Sequence, residues 1–166
     1  MKFKTNWIYP ELAIRGFDRL GQYPIPQEPI RNMNPYLVYH YLKTILADAD
    51  CVKDVKALHF WPILAEAFPQ ATWVVVWRDP KKIAASCMRT KFMKHFDSPD
   101  AWEAWAETHH TRCKELQDRY PDRVYVVNAS HLGTDTAALS SAVRASGLQW
   151  DEASVGKVFE PSRWTG

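Results

Sequence analysis

Arg78 and Ser86 stand eight positions apart in the stretch V-V-W-R-D-P-K-K-I-A-A-S. The backbone between them is expected to change from strand to helix. Residues 73–77 form a short apolar run of β-branched and aromatic residues, the pattern of a strand buried on both faces in a parallel sheet. Asp79 is a preferred helix N-cap, and Pro80 suits the first helical position, where its missing N–H would be unpaired in any case. The spacing predicts a helix from Pro80 to about residues 88–91. Arg78 then sits at the carboxyl end of a strand, the edge where open α/β sheets collect ligands. The new helix aims N–H groups and the positive end of its dipole at the same place. Lys82, Ser86 and Arg89 share one helix face, while Ile83, Cys87 and Thr90 line a more apolar one. A guanidinium with a planar fork of donors, a hydroxyl and further cations would suit a phosphate. An Arg–Asp pair closing a turn, beside a solvated basic helix face, would leave the same spacing. Spacing alone keeps both open.

Charge distribution favours a small anionic ligand. Net charge is only +2, yet between 78 and 94 six basic residues face one acid, Asp79. A positive field this local fits a small anion better than a long phosphate backbone, and no nucleic-acid motif accompanies it. With 166 residues, 46% hydrophobic and 24% charged, the chain can bury a core as one α/β domain. Cys51, Cys87 and Cys113 are odd in number and form no C-x-x-C, so no metal site is expected and a reduced, cytoplasmic setting is. No apolar run approaches a membrane span.

The elements that must position these residues can be read in chain order. Residues 1–33 are expected to be an irregular amino-terminal segment punctuated by prolines and glycines. Residues 34–166 are expected to form the α/β domain. Asn34-Pro35 caps a helix whose apolar stripe is Leu37, Val38, Tyr41, Leu42, Ile45 and Leu46. Residues 51–55 are a short strand candidate carrying Lys53. Residues 57–68 read as a helix with Leu58, Trp61, Leu64, Ala65 and Phe68 inward. Ser98-Pro99 opens a long helix to about Arg119, with His109 facing the core and His110 exposed. Residues 123–128 are a second convincing strand, followed by a helix over 136–146 that Gly147 ends.

Arg78 with Ser86 in this context resembles the 3′-phosphate-binding motif of the sulfotransferase family. There the pair grips the 3′-phosphate of 3′-phosphoadenosine 5′-phosphosulfate (PAPS). The order strand, helix, F-P-Q-A-T, strand, R-D-P resembles bacterial and carbohydrate-type members, as does R-Y-P-D-R-V-Y-V-V-N-A-S-H-L followed by G-L-Q-W. The resemblance covers roughly residues 51–150. It implies a three-layer α/β fold of the P-loop NTPase-like kind, with a short, mainly parallel sheet of three to four strands flanked by helices. It implies Arg78 and Ser86, with Lys82 on the same face, as cofactor-binding residues. PAPS or 3′-phosphoadenosine 5′-phosphate would be the ligand, without a metal. Members often carry Lys-Asp-Pro after the earlier strand; here Lys53-Asp54 precedes Val55. By resemblance Lys53 approaches the transferred sulfuryl group, whereas by itself it reads equally as a solvated lysine. Ser130 stands where many members have an acid.

The family's amino-terminal strand and glycine-rich 5′-phosphosulfate loop have no counterpart before Asn34, and Gly156-Lys157-Val158 is not a P-loop. Three explanations stay open: a remnant without activity, a loop supplied by another polypeptide, or a diverged substitute within 1–33. The absent strand is central in the family's sheet, so its loss predicts an exposed edge. A protein partner or second copy, or Trp7-Ile8-Tyr9, would fill that edge. The implied activity is PAPS-dependent sulfuryl transfer to a hydroxyl or amine. The competing role is a non-catalytic, degenerate sulfotransferase domain that binds a nucleotide or a protein.

Overall fold

A computed structural model describes residues 3–5, 34–53, 57–91, 93, 96–132 and 134–158. They fall into two compact units, residues 1–70 and 71–166. The architecture is α/β, with strands paired in parallel and helices around them.

In the first unit, Phe3–Thr5 (β1) runs parallel to Cys51–Lys53 (β2), with Phe3 opposite Cys51 and Thr5 opposite Lys53. A strand thus lies inside the segment expected to be irregular; Trp7-Ile8-Tyr9 falls outside the described residues. Helix α1, Pro35–Leu46, starts where the Asn34 side chain accepts the Tyr36 N–H at 3.0 Å. It buries Val38, Tyr41, Leu42 and Leu46, but Leu37 is 64% exposed and lies off the buried stripe. The segment expected as one helix over 57–68 is instead a 3₁₀ turn, Ala57–His59, followed by α2, Trp61–Ala67. Pro62 is the cause: it has no N–H for the preceding turn, so it can stand only near a helix start. The break turns Phe60 inward with Leu64, Ala65 and Ala67.

In the second unit, Trp73–Trp77 (β3) pairs in parallel with Val124–Asn128 (β4), from Trp73 opposite Val124 to Trp77 opposite Asn128. Between them the chain runs through α3, Pro80–Arg89, and α4, Pro99–Arg119, which pack on each other. Ser98 caps α4 by accepting the Ala101 N–H at 3.2 Å, with Pro99 in the first turn. Helix α5, Ala137–Ala145, packs on β4 and β3 and buries Ala142. It ends as its sequence predicts. Gly147 takes φ 74°, its N–H donates to the Arg144 carbonyl, and the Leu148 N–H donates to that of Val143. This is a Schellman turn, which needs a residue free to adopt positive φ. Gly156-Lys157 lies within α6, Glu152–Val158. The expected two-sided burial of β3 is not met: Val74 is 43% and Val76 63% exposed. Val74 and Val76 fall on one face of the strand, because side chains alternate across it; β4 is its partner among the described residues. Among the described residues no helix is long and apolar enough to cross a membrane.

The core of this unit is threaded by α4. Trp102, Ala106 and Leu116 are essentially without exposure. The Trp102 indole N–H donates to the Phe96 carbonyl at 3.1 Å. Phe96, Trp102 and Trp105 meet edge to face, at centroid distances of 5.0 and 5.7 Å. The His109 ring lies 4.0 Å from that of Trp105, and Arg112 approaches its Nδ1 at 3.4 Å. Burial first, then the charges of Arg112 and His110, pulls its pKa down to about 4.

Truncating Leu116 to alanine leaves a hole at a fully buried site and should cost about 2–5 kcal/mol in chemical denaturation. Met88→Ala, at an exposed position of α3, should stay within about 0.5 kcal/mol. His109 binds its proton less readily folded than unfolded. It therefore costs no stability above its unfolded value near 6.5, and the folded state loses ground as pH falls from there towards 4. Melting temperature followed over that range should fall more steeply for the wild type than for His109→Leu. Parallel curves would show that His109 does not carry this loss.

Candidate functional site

The joint between β3 and α3 is set by two backbone carbonyls. The Trp77 carbonyl accepts the Ala129 N–H at 2.8 Å, extending the ladder to β4 by one rung. The Asp79 carbonyl accepts the Ile83 N–H at 3.0 Å, the first bond of α3. Between them the Arg78 carbonyl belongs to neither sheet nor helix, and it lies near enough to the His110 ring on α4 to favour that ring's protonated form. The Asp79 side chain accepts the Lys82 N–H at 3.1 Å, the expected cap. These contacts amend one expectation. Pro80 offers no N–H, and those of Lys82 and Ile83 are occupied within the protein, so the helix start has few donors to spare. An anion here must be gripped mainly by side chains.

Those side chains are distributed as the helical spacing requires. Arg78 is half-buried just before α3, and Ser86 is half-buried two turns into it. Lys82 and Arg89 are exposed, while Cys87 is buried and Ile83 and Thr90 are half-buried on the other face. The Ser86 carbonyl accepts the Thr90 hydroxyl at 2.8 Å, and no hydrogen bond reaches the Ser86 hydroxyl among the described residues. Arg78, Lys82 and Ser86 thus belong to one strand–turn–helix joint of the second unit. Lys53 does not: it is the exposed last residue of β2, in the first unit.

His110 is the site residue that the sequence did not reveal. It was expected to be exposed and is half-buried instead. Its ring stacks on Trp77 at a centroid distance of 5.1 Å and an interplanar angle of 27°. Burial lowers its pKa, against the Arg78 carbonyl and the carboxylates of Asp79 and Glu107, which act to raise it. Neutral imidazole still carries one N–H. Helical periodicity shows that His109 and His110 point about a quarter-turn apart, but not that a strand tip lies beneath the second. Trp77 and His110 also line an open groove of about 600 Å³, floored by Val75 and Val126 and walled by Cys113 and Lys114 of α4. Burial pushes the Cys113 thiol up to about 11, so it stays protonated there. Lys114 is engaged with Asp118 at 2.7 Å on the exposed side of the helix.

No curated protein and no solved structure matches the chain. A family model described as a sulfotransferase domain matches residues 26–146. That span is well over half of the 166 residues and contains Lys53, Arg78, Lys82 and Ser86. The parallel strand pairs with their surrounding helices agree with that family's α/β architecture. The chain belongs to the sulfotransferase domain family.

Proposed function

We propose that the chain binds PAPS, with Arg78 and Ser86 holding the 3′-phosphate and Lys82 adding charge beside them, and that it transfers the sulfuryl group to a hydroxyl or amine. The observation that carries this reading is the capped joint itself. An arginine at a strand's carboxyl end precedes a helix that bears, two turns on, a half-buried hydroxyl with no hydrogen bond among the described residues, within the residues matched to the family. The groups present suit the ligand: a planar donor fork and a hydroxyl, with cations outside, complement a doubly charged phosphate. The protein's part is to bind and orient, because sulfuryl transfer needs an in-line approach and donors around the moving charge.

The end of the cofactor that reacts needs its own donors. Lys53 closes β2, and the parallel partner β1 ends level with it at Thr5. In this proposal Lys53 stabilises charge developing on the sulfuryl group. If a partner chain or a second copy is used, the exposed Val74 and Val76 side chains of β3 are apolar surface it could cover. A reducing cytoplasm would suit the three free cysteines.

Calorimetry with adenosine 3′,5′-bisphosphate tests the binding claim. Arg78→Ala should weaken binding roughly 10- to 100-fold, the worth of hydrogen bonds to a charged group, and Ser86→Ala about tenfold. No binding by the wild type, or unchanged binding by Arg78→Ala, would sink the assignment. Transfer from labelled PAPS to hydroxyl and amine acceptors then separates enzyme from binder. Lys53→Ala should lower turnover at least tenfold and leave bisphosphate affinity within about threefold. Binding without any transfer would favour the degenerate, non-catalytic module.

A further inference from the structure

We infer that the turn following β4 forms a second wall of the phosphate site, with the Ser130 hydroxyl and the His131 imidazole donating to the phosphate that Arg78 holds. This rests on the proposal that Arg78 binds that phosphate. The register of the sheet supplies the placement. Trp77 and Asn128 are the last paired residues of β3 and β4, and the Ala129 N–H donates to the Trp77 carbonyl at 2.8 Å. Neighbouring strands lie about 4.8 Å apart, so the chain leaves β4 beside Arg78, at the same edge. It then reverses at once. The His131 N–H donates to the Asn128 carbonyl at 3.0 Å, which closes a β-turn, and the Ser130 N–H donates to the Asn128 side chain at 2.9 Å. Ser130 and His131 are thereby kept at the sheet edge that bears the arginine.

The turn is firmly held, yet its polar side chains are not spent on holding it. Leu132, the next residue, is 5% exposed and anchors the loop. The His131 carbonyl accepts the N–H groups of Thr134 at 2.8 Å and Asp135 at 2.7 Å. The backbone N–H groups of Ala129, Ser130 and His131 are all engaged, so the turn can offer a ligand its side chains rather than its backbone. Both side chains are exposed, and among the described residues nothing bonds to the Ser130 hydroxyl or to the His131 ring. A phosphate monoester has acceptor positions for them. It presents three terminal oxygens, and a bidentate guanidinium with one hydroxyl leaves part of their capacity open. The start of α3 can fill little of it, because the Lys82 and Ile83 N–H groups are occupied. Among the described residues, the turn after β4 is the next element along this edge.

Ser130→Ala and His131→Ala change exposed side chains that hold no other part of the described structure, so both should melt with the wild type. In calorimetry each should weaken adenosine 3′,5′-bisphosphate binding about tenfold. Ser130→Asp brings a carboxylate up to the phosphate and should weaken binding further than Ser130→Ala does. A turn remote from the ligand would leave all three at wild-type affinity, and wild-type affinity in either alanine variant overturns the inference. Should one alanine variant not fold, the other decides. A double-mutant cycle asks whether the contacts share one phosphate: His131→Ala should change affinity at least threefold less in an Arg78→Ala background than in the wild type. Equal effects in the two backgrounds also overturn the inference. If Arg78→Ala weakens binding and the turn variants do not, the inference alone fails. If the wild type does not bind the bisphosphate, the phosphate role of Arg78 fails and the second wall falls with it.

Discussion

Two carbonyls either side of Arg78, at Trp77 and Asp79, are taken by different elements: the residue that follows β4 and the helix α3. The rest of the second unit depends on this division. A strand that turns into a helix must pass through a residue belonging to neither, and that residue is ordinarily the loosest point of the turn. Here the rung before it and the helical bond after it tie the flanks, and the His110 ring of α4 stacks on Trp77. Because these partners come from separate elements, the turn cannot shift without disturbing the packing of all three. If Arg78 holds a ligand as proposed, such a point gives it a rigid base.

The long helix α4 makes this possible. Trp102 and Leu116 are wholly buried and pin it at two levels, while Ala106 adds little bulk between them. With its rotation fixed at these levels, α4 must send residues 109 and 110 in different directions, about 100° apart. One imidazole goes against Trp105 and Arg112, and the other goes to the tip of β3. The same packing that stabilises the unit thus aims His110 at the joint. Position and stability are linked through one helix rather than through a separate support.

How much of this could be read from the sequence follows from how local each feature is. Asn34, Asp79 and Ser98 act on N–H groups two or three residues away, and Gly147 acts on carbonyls just behind it, so those helix ends were legible. The parallel pairing of β3 and β4 followed from two apolar runs separated by helical pattern. The break at Pro62 was underestimated, because a proline near a helix start could also have been tolerated within a longer helix. β1 was missed because three residues of F-K-T carry no alternation and gain their place only from β2. The exposure of Val74 and Val76 was missed because apolarity shows that a strand could be buried, not that a neighbour exists. His110 was beyond reach for the same reason: Trp77, on which its ring stacks, is more than thirty residues away in the chain.

Charge and geometry divide the work at the joint. Lys82 and Arg89 are exposed, and at physiological salt their fields fade over roughly 8 Å, so they can draw an anion in but discriminate poorly between anions. The Asp79 carboxylate, capping the helix, opposes an anion placed on the helix axis. With Pro80 silent and the Lys82 and Ile83 N–H groups engaged, the axial position keeps few donors, that of Lys81 among them, and no favourable field. If Arg78 and Ser86 hold a phosphate as proposed, the ligand must therefore lie beside the first two turns of α3, along the face that carries Lys82 and Ser86. A lateral site of that kind selects by the separation of its two half-buried groups. This favours a compact dianion over an extended chain of single charges, and it makes the orientation of the Arg78 peptide, rather than the number of nearby lysines, the quantity that limits affinity.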